Sequence, residues 1–134
     1  LVAIRGLSST AKLAEANISN VSLVTTAIGA ALGADFSVIA TYNESVTVTG
    51  TPQMALTNNT DAGRSAVLDY ASGTGTNRLT FTGTIAADDL TEADELQVAA
   101  DSITLNGGTI VDTSGGVASL LTHSAIATTV TVGA

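Results

Sequence analysis

The stretch Glu44-Ser-Val-Thr-Val-Thr-Gly-Thr-Pro52 constrains this chain more than any other. Val46 and Val48 alternate with Thr47 and Thr49, then Gly50 and the single proline, Pro52, stop the run. A period of two places the valines on one face and the threonines on the other, as in a half-buried strand. Proline has no N–H for a sheet ladder, so Gly50-Thr51-Pro52 reads as a corner. The alternation restarts at Met54 and Leu56. Two strands joined by a tight corner are expected, with Val46, Val48, Met54 and Leu56 facing the core.

Further strand signals recur at short, regular spacing. Ile18 to Val24 reads as a strand, Ala27 to Gly33 as a Gly/Ala connection, and Asp35 to Tyr42 as a strand with Phe36, Val38, Ala40 and Tyr42 on one face. Residues 58–63 form a turn cluster, and Arg64 to Tyr70 and Asn77 to Gly83 form a hairpin around Ser72-Gly-Thr-Gly75. Glu95 to Ala99, Ser102 to Asn106, Thr109 to Val111, Ala118 to Leu121 and Ile126 to Val132 complete the strands, with turns at Gly107-Gly108 and Asp112 to Gly116. A turn of helix is an option for Leu90 to Leu96, and Ser8-Ser-Thr10 can cap a marginal one over 11–16. So many short strands point to an all-β fold, a sandwich of two antiparallel sheets.

Only four aromatics are present, Phe36, Tyr42, Tyr70 and Phe81, so aliphatic side chains must build most of the core. At 134 residues the chain suits one domain. We divide it into an N-terminal arm, 1–17, and the sandwich, 18–134. The absence of cysteine excludes disulfides, thiolate nucleophiles and Cys-based zinc sites. The formal charge of −8 disfavours nucleic acid as a partner, since phosphate binding needs clustered Lys and Arg. Arg5 and Lys12 make residues 1–14 formally +2 and leave −10 on the remainder. The most apolar window, Val21 to Ala34, is too short and broken for a membrane span, and no signal-peptide layout is seen.

Several spaced motifs occur together: Val46-Thr-Val-Thr-Gly-Thr-Pro52, Ala66 through Tyr70-x-Ser72-Gly73-x-Gly75, Leu79-Thr-Phe81, and Leu105-Asn-Gly-Gly-Thr-Ile-x-Asp112. In this order they resemble the bacterial immunoglobulin-like repeats of very large surface proteins and adhesins, over roughly residues 18–128. Tyr42-Asn-Glu-Ser-Val46 stands where that family has an FSEPV segment, Asp112-Thr-Ser-Gly-Gly116 at its D-x-x-G-N turn, and Leu121-Thr-His123 at its closing strand. Ser45 replaces the usual proline and Gly116 the usual asparagine. The resemblance implies an immunoglobulin-like β-sandwich. As one copy with a basic arm and no second repeat, the chain also resembles the decoration and accessory virion proteins of tailed bacteriophages.

Candidate sites are few. Asp88, Asp89, Glu92 and Asp94, with Glu95 beside them, are the densest carboxylate cluster. They are candidate calcium ligands, although their spacing is not that of an EF-hand; the alternative is a solvated acidic loop that deters edge pairing. His123, the only histidine, has no nucleophile-elbow motif around it and reads as a cap on a strand end. Neither Gly73-Thr-Gly75 nor Gly107-Gly108 has the Gly-Lys-Ser/Thr ending of a phosphate loop. In the arm, Leu1, Val2, Ile4, Leu7 and Leu13 offer an apolar anchor, with Arg5 and Lys12 to meet an acidic surface; adding an edge strand to its own sheet is the alternative.

The expectation is a non-enzymatic structural protein without catalytic residues or an obligatory cofactor. Its partners would be proteins of a multi-copy assembly, capsid or tail proteins or copies of itself, with possible glycan contact and no membrane insertion. Its location would be the virion or, alternatively, the cell surface as an adhesin or filament module. A small glycan-active hydrolase is a third reading, opposed by the scarcity of aromatic platforms for sugars.

Overall fold

The computed structural model describes residues 16–24, 28–29, 34–60, 66–85, 94–126 and 130–133. Among them are nine strands and no helix: β1 (Ile18–Leu23), β2 (Ile28–Gly29), β3 (Ala34–Thr49), β4 (Gln53–Asn58), β5 (Ala66–Ser72), β6 (Thr76–Ile85), β7 (Glu95–Thr104), β8 (Thr109–Asp112) and β9 (Val130–Gly133). The protein is all-β. Hydrogen bonding follows the order β1-β3-β6-β5-β4-β7-β9-β2, with β8 on β3, as one sheet curled into a half-barrel. Every pairing is antiparallel except β2 with β9.

The curl originates in β3, which runs 16 residues where two separate strands were expected. Its first part pairs with β1 and β6; beyond a register shift between Thr41 and Val46 it pairs with β8. The chain does not break at Asn43 because that residue extends the ladder. Its N–H donates to the Asn17 carbonyl at 2.9 Å, and its Oδ1 accepts the Asn17 N–H at 2.9 Å. Gly50-Thr51-Pro52 then turns the chain into β4, as expected.

Inside the curl lie Phe36, Val38, Ala40, Tyr42, Val46, Met54, Leu68, Leu79, Phe81, Leu96 and Val98, all buried, and Leu56 joins them. Each large aliphatic so buried stabilises the fold by about 1.5–3 kcal/mol. Val48 is partly buried against the same cluster. Threonines occupy the opposite face, and Thr47 bonds Thr113 and Thr49 bonds Thr109 across β3 and β8. At the β5–β6 hairpin the Tyr70 hydroxyl accepts the Thr74 N–H at 2.9 Å, while its ring meets Phe81 edge-on, centroids 6.3 Å apart.

Other expectations differ in detail. Residues 95–104 form one strand with a bulge, not two strands, and Glu95 and Leu96 are extended where a turn of helix was an option. Residues 118–121 contribute a single bridge, Ala118 to Val111, instead of the expected strand, and the strand expected over 126–132 is present as β9 from Val130. The helical turn over 11–15 and residues 61–65 and 127–129 of the expected turn and strands lie outside the described residues.

Candidate functional site

Leu1, Val2, Ile4, Arg5, Leu7, Lys12 and Leu13 lie outside the described residues, as do Asp88, Asp89 and Glu92. Asp94 is described. It is 2% exposed at the start of β7, where one carboxylate oxygen accepts the Asn58 Nδ2–H at 3.0 Å. Asn58 Oδ1 accepts the Thr60 N–H at 3.0 Å, so Asp94 helps hold the end of β4. Among the described residues no group of three His, Asp or Glu side chains is placed to hold a metal ion.

Among the described residues lies a groove of about 660 Å³. One wall is Ile18 to Val21 of β1; the other is Thr122 to Ile126, with Asp101 at its side. Each wall lies beside a break in strand register. On β1, Ile18 faces Tyr42 and Asn20 faces Thr41, so Ser19 is an extra residue, and its hydroxyl donates to the Thr41 carbonyl at 3.1 Å. On β7, Val98 faces Leu56 and Ile103 faces Met54, so residues 99–102 oppose Ala55 alone.

The β7 bulge is clasped by His123. Asp101, at φ +54°, donates its N–H to the His123 carbonyl at 3.2 Å and accepts the His123 N–H on Oδ1 at 3.0 Å. Nε2 accepts the Ser102 N–H at 3.1 Å, with the Ser102 hydroxyl 3.2 Å away. Nε2 is therefore the bare nitrogen, and Nδ1 carries the proton that it donates to the Ser124 carbonyl at 2.9 Å. Ser102 and Asp101 thus come together with His123, but the carboxylate holds the histidine backbone instead of orienting its ring. The ring caps irregular backbone, close to the role expected of it.

Residues 117–126 act as a strap. Ser119 N–H bonds the Ile110 carbonyl, Leu120 N–H bonds Ala16, and Ile126 N–H bonds Val98, at 2.9, 2.9 and 3.0 Å. Gln97 Nε2 donates to the Ile126 carbonyl at 2.8 Å. The strap thereby ties β8 and the start of β1 to β7. Its origin is fixed by Asp112, which is fully buried. Burial raises the Asp112 pKa, but hydrogen bonds from the Gly115 and Val117 N–H groups and the Ser114 hydroxyl outweigh it, and the net shift is downward.

Sequence reasoning did not find the Asp101–Ser102–His123 cluster. A signal existed: the apolar parity of β7 jumps from Leu96 and Val98 to Ile103, which marks a bulge. Nothing in the chain ties that bulge to a histidine twenty-one residues later.

No helix among the described residues is long and apolar enough to cross a membrane. Comparison with protein-family models, curated proteins and solved structures finds no match for this chain.

Proposed function

We propose that the chain is a non-enzymatic structural subunit of a multi-copy assembly, an immunoglobulin-like module that serves as a decoration or tail-associated protein of a tailed-phage virion. The observation that carries this reading is the use made of the polar side chains. Asp112, Asp101, Ser102 and His123 are engaged with backbone groups of turns, bulge and strap, and the groove that Asp101 and His123 line ends on a strand edge. Such a site suits recognition of polypeptide backbone. The acidic body and the apolar, basic leading segment are complementary surfaces for repeated contact. The motif resemblance supplies the virion or, in the alternative, the bacterial surface as the setting.

Mass spectrometry of gradient-purified particles of a phage carrying the gene tests the proposal. The expected result is this chain in the particle at a copy number that matches a capsid or tail symmetry. Its absence from particles, with recovery in a cell-envelope fraction, would refute the virion reading in favour of the adhesin module.

A further inference from the structure

We infer that the groove beside β1 takes residues 1–7 of a second copy of this chain, which add to the sheet there as an extra strand. This rests on the reading of the chain as an assembly subunit and names the partner of its sheet edge.

The edge geometry comes first. Val24 N–H donates to the Ser37 carbonyl at 2.9 Å, and the register from Asn20 to Leu23 is unbroken. Bonded and non-bonded pairs alternate in an antiparallel ladder, so Asn20 and Ser22 bond toward β3 while Val21 and Leu23 turn their N–H and C=O groups the other way. Among the described residues β3 is the only strand beside β1. Of Val21 and Leu23, Val21 lines the groove, and Leu23 continues the same edge beyond it.

The apolar layer under this edge is unfinished. Val21 and Leu23 stand opposite Ala40 and Val38, which are fully buried, yet Val21 and Leu23 are only partly so. Ile18 and Ile126, on the two groove walls, are also half-buried against the core. A strand laid beside β1 would bond the outward groups and cover these four side chains together.

The occupant follows from chain chemistry. Six residues of β1 extend roughly 20 Å, a length that seven extended residues match. Leu1-Val-Ala-Ile-Arg-Gly-Leu7 contains no proline or acid, and its alternation puts β-branched Val2 and Ile4 on one face. Arg5 brings positive charge to a groove whose ionisable lining includes the exposed Asp101 carboxylate, on a body of formal charge −10.

A second copy is favoured because the approach to β1 is pinned. Ala16 accepts the Leu120 N–H, and Asn17 exchanges two hydrogen bonds with Asn43. The backbone therefore cannot reverse at 16–17 as a tight hairpin into its own groove.

The chain has no cysteine, so engineered ones report contacts cleanly. Full-length Ala3→Cys is mixed in a glutathione redox buffer with full-length Asn20→Cys, or with Val67→Cys, whose side chain is exposed on β5. Asn20 is exposed on β1, and Ala3 would come within cross-strand reach of it if the strand adds as inferred. The expected result is a disulfide-linked pair of chains roughly tenfold more abundant with Asn20→Cys than with Val67→Cys. Adding Val21→Pro to the Asn20→Cys chain removes one outward N–H and should lower the yield roughly tenfold, since one edge hydrogen bond and its close fit are lost. Equal yields with both partners would overturn the inference. So would a double Ala3→Cys/Asn20→Cys chain that closes on itself as a monomer. If trapping fails while the chain is still found in particles, only the strand exchange falls; absence from particles removes the assembly reading itself.

Discussion

The corner that ends β3 packs backbone on backbone, and three glycine substitutions separate the forces acting there. A β-carbon built on Gly108 would lie 2.3 Å from the Thr49 carbonyl oxygen and 3.2 Å from Gly50 Cα. Ordinary contact begins near 3.4 Å, so the backbone must move by about 1 Å, which would disturb the Thr49–Thr109 pairing beside it. Gly108→Ala is therefore expected to cost about 2–3 kcal/mol from crowding alone. Gly107 is the converse case: φ is +79° and nothing lies within 4 Å, so Gly107→Ala carries only left-handed strain, about 1 kcal/mol. Gly50 combines both effects, with φ +72° and an added β-carbon 2.8 Å from Gly108 Cα, and Gly50→Ala should cost about 3–4 kcal/mol. Urea unfolding reads the series. With a slope of about 1.5 kcal/mol/M, the midpoint should fall by about 0.7 M for Gly107→Ala and about 1.7 M for Gly108→Ala. The double variant Gly50→Ala/Gly108→Ala should fall short of additivity, because both β-carbons relieve themselves through one separation of the same two backbones. If Gly108→Ala is no worse than Gly107→Ala, the close approach is not what holds this corner.

Three further outcomes follow from particular polar groups. The Tyr42 hydroxyl is buried without a hydrogen-bond partner among the described residues, and burial pushes its pKa well above the usual tyrosine value. Tyr42→Phe should therefore leave the chain equally stable or stabilise it by about 1 kcal/mol in the same urea titration, and a loss above that size would reveal a partner for the hydroxyl. His123→Ala removes the acceptor for the Ser102 N–H and should cost about 1–3 kcal/mol, with hydrogen exchange faster at Asp101 and Ser102 than elsewhere in β7; uniform acceleration would refute a local clasp. Hydrogen bonds hold the folded-state pKa of Asp112 below the ordinary aspartate value, so the unfolded chain takes up the proton first as pH falls. Its contribution is fully present above about pH 4 and lost as pH drops through the folded value; Asp112→Asn should lower stability at neutral pH and flatten the acid limb, and an unchanged limb would refute the assignment.

Residue parity accounts for what could be read directly from the chain. Phe36, Val38, Ala40 and Tyr42 share a parity with Val46 and Val48, and the structure places all six on the inner face of one strand. The expected division at Asn43-Glu-Ser45 gave weight to polar residues that favour turns, whereas Asn43 uses its side chain to extend the β1–β3 ladder. The turn at Asp112 was legible because an Asp with glycines three and four residues on can close a loop through its own carboxylate. The strap was not. Residues 118–126 satisfy their backbone one bond at a time, against β8, Ala16 and β7, and such scattered bonding leaves no period in the sequence.

Lost parity and the candidate site are one phenomenon. On β1 the apolar positions pass from Ile18 to Val21 and Leu23, changing phase across Ser19; on β7 they pass from Val98 to Ile103, changing phase across 99–102. Each shift keeps the apolar side chains on the core face only by expelling extra backbone, and expelled backbone requires hydrogen-bond partners. On β7 the strap supplies them through His123. On β1 the extra residue is bonded back to Thr41, but Val21 and Leu23 still present an edge with no second strand among the described residues. The groove runs between these two irregularities, so its polar lining is the residue of repairs already made on one side. The open edge opposite is where a further chain has backbone groups to bond and half-buried aliphatics to cover.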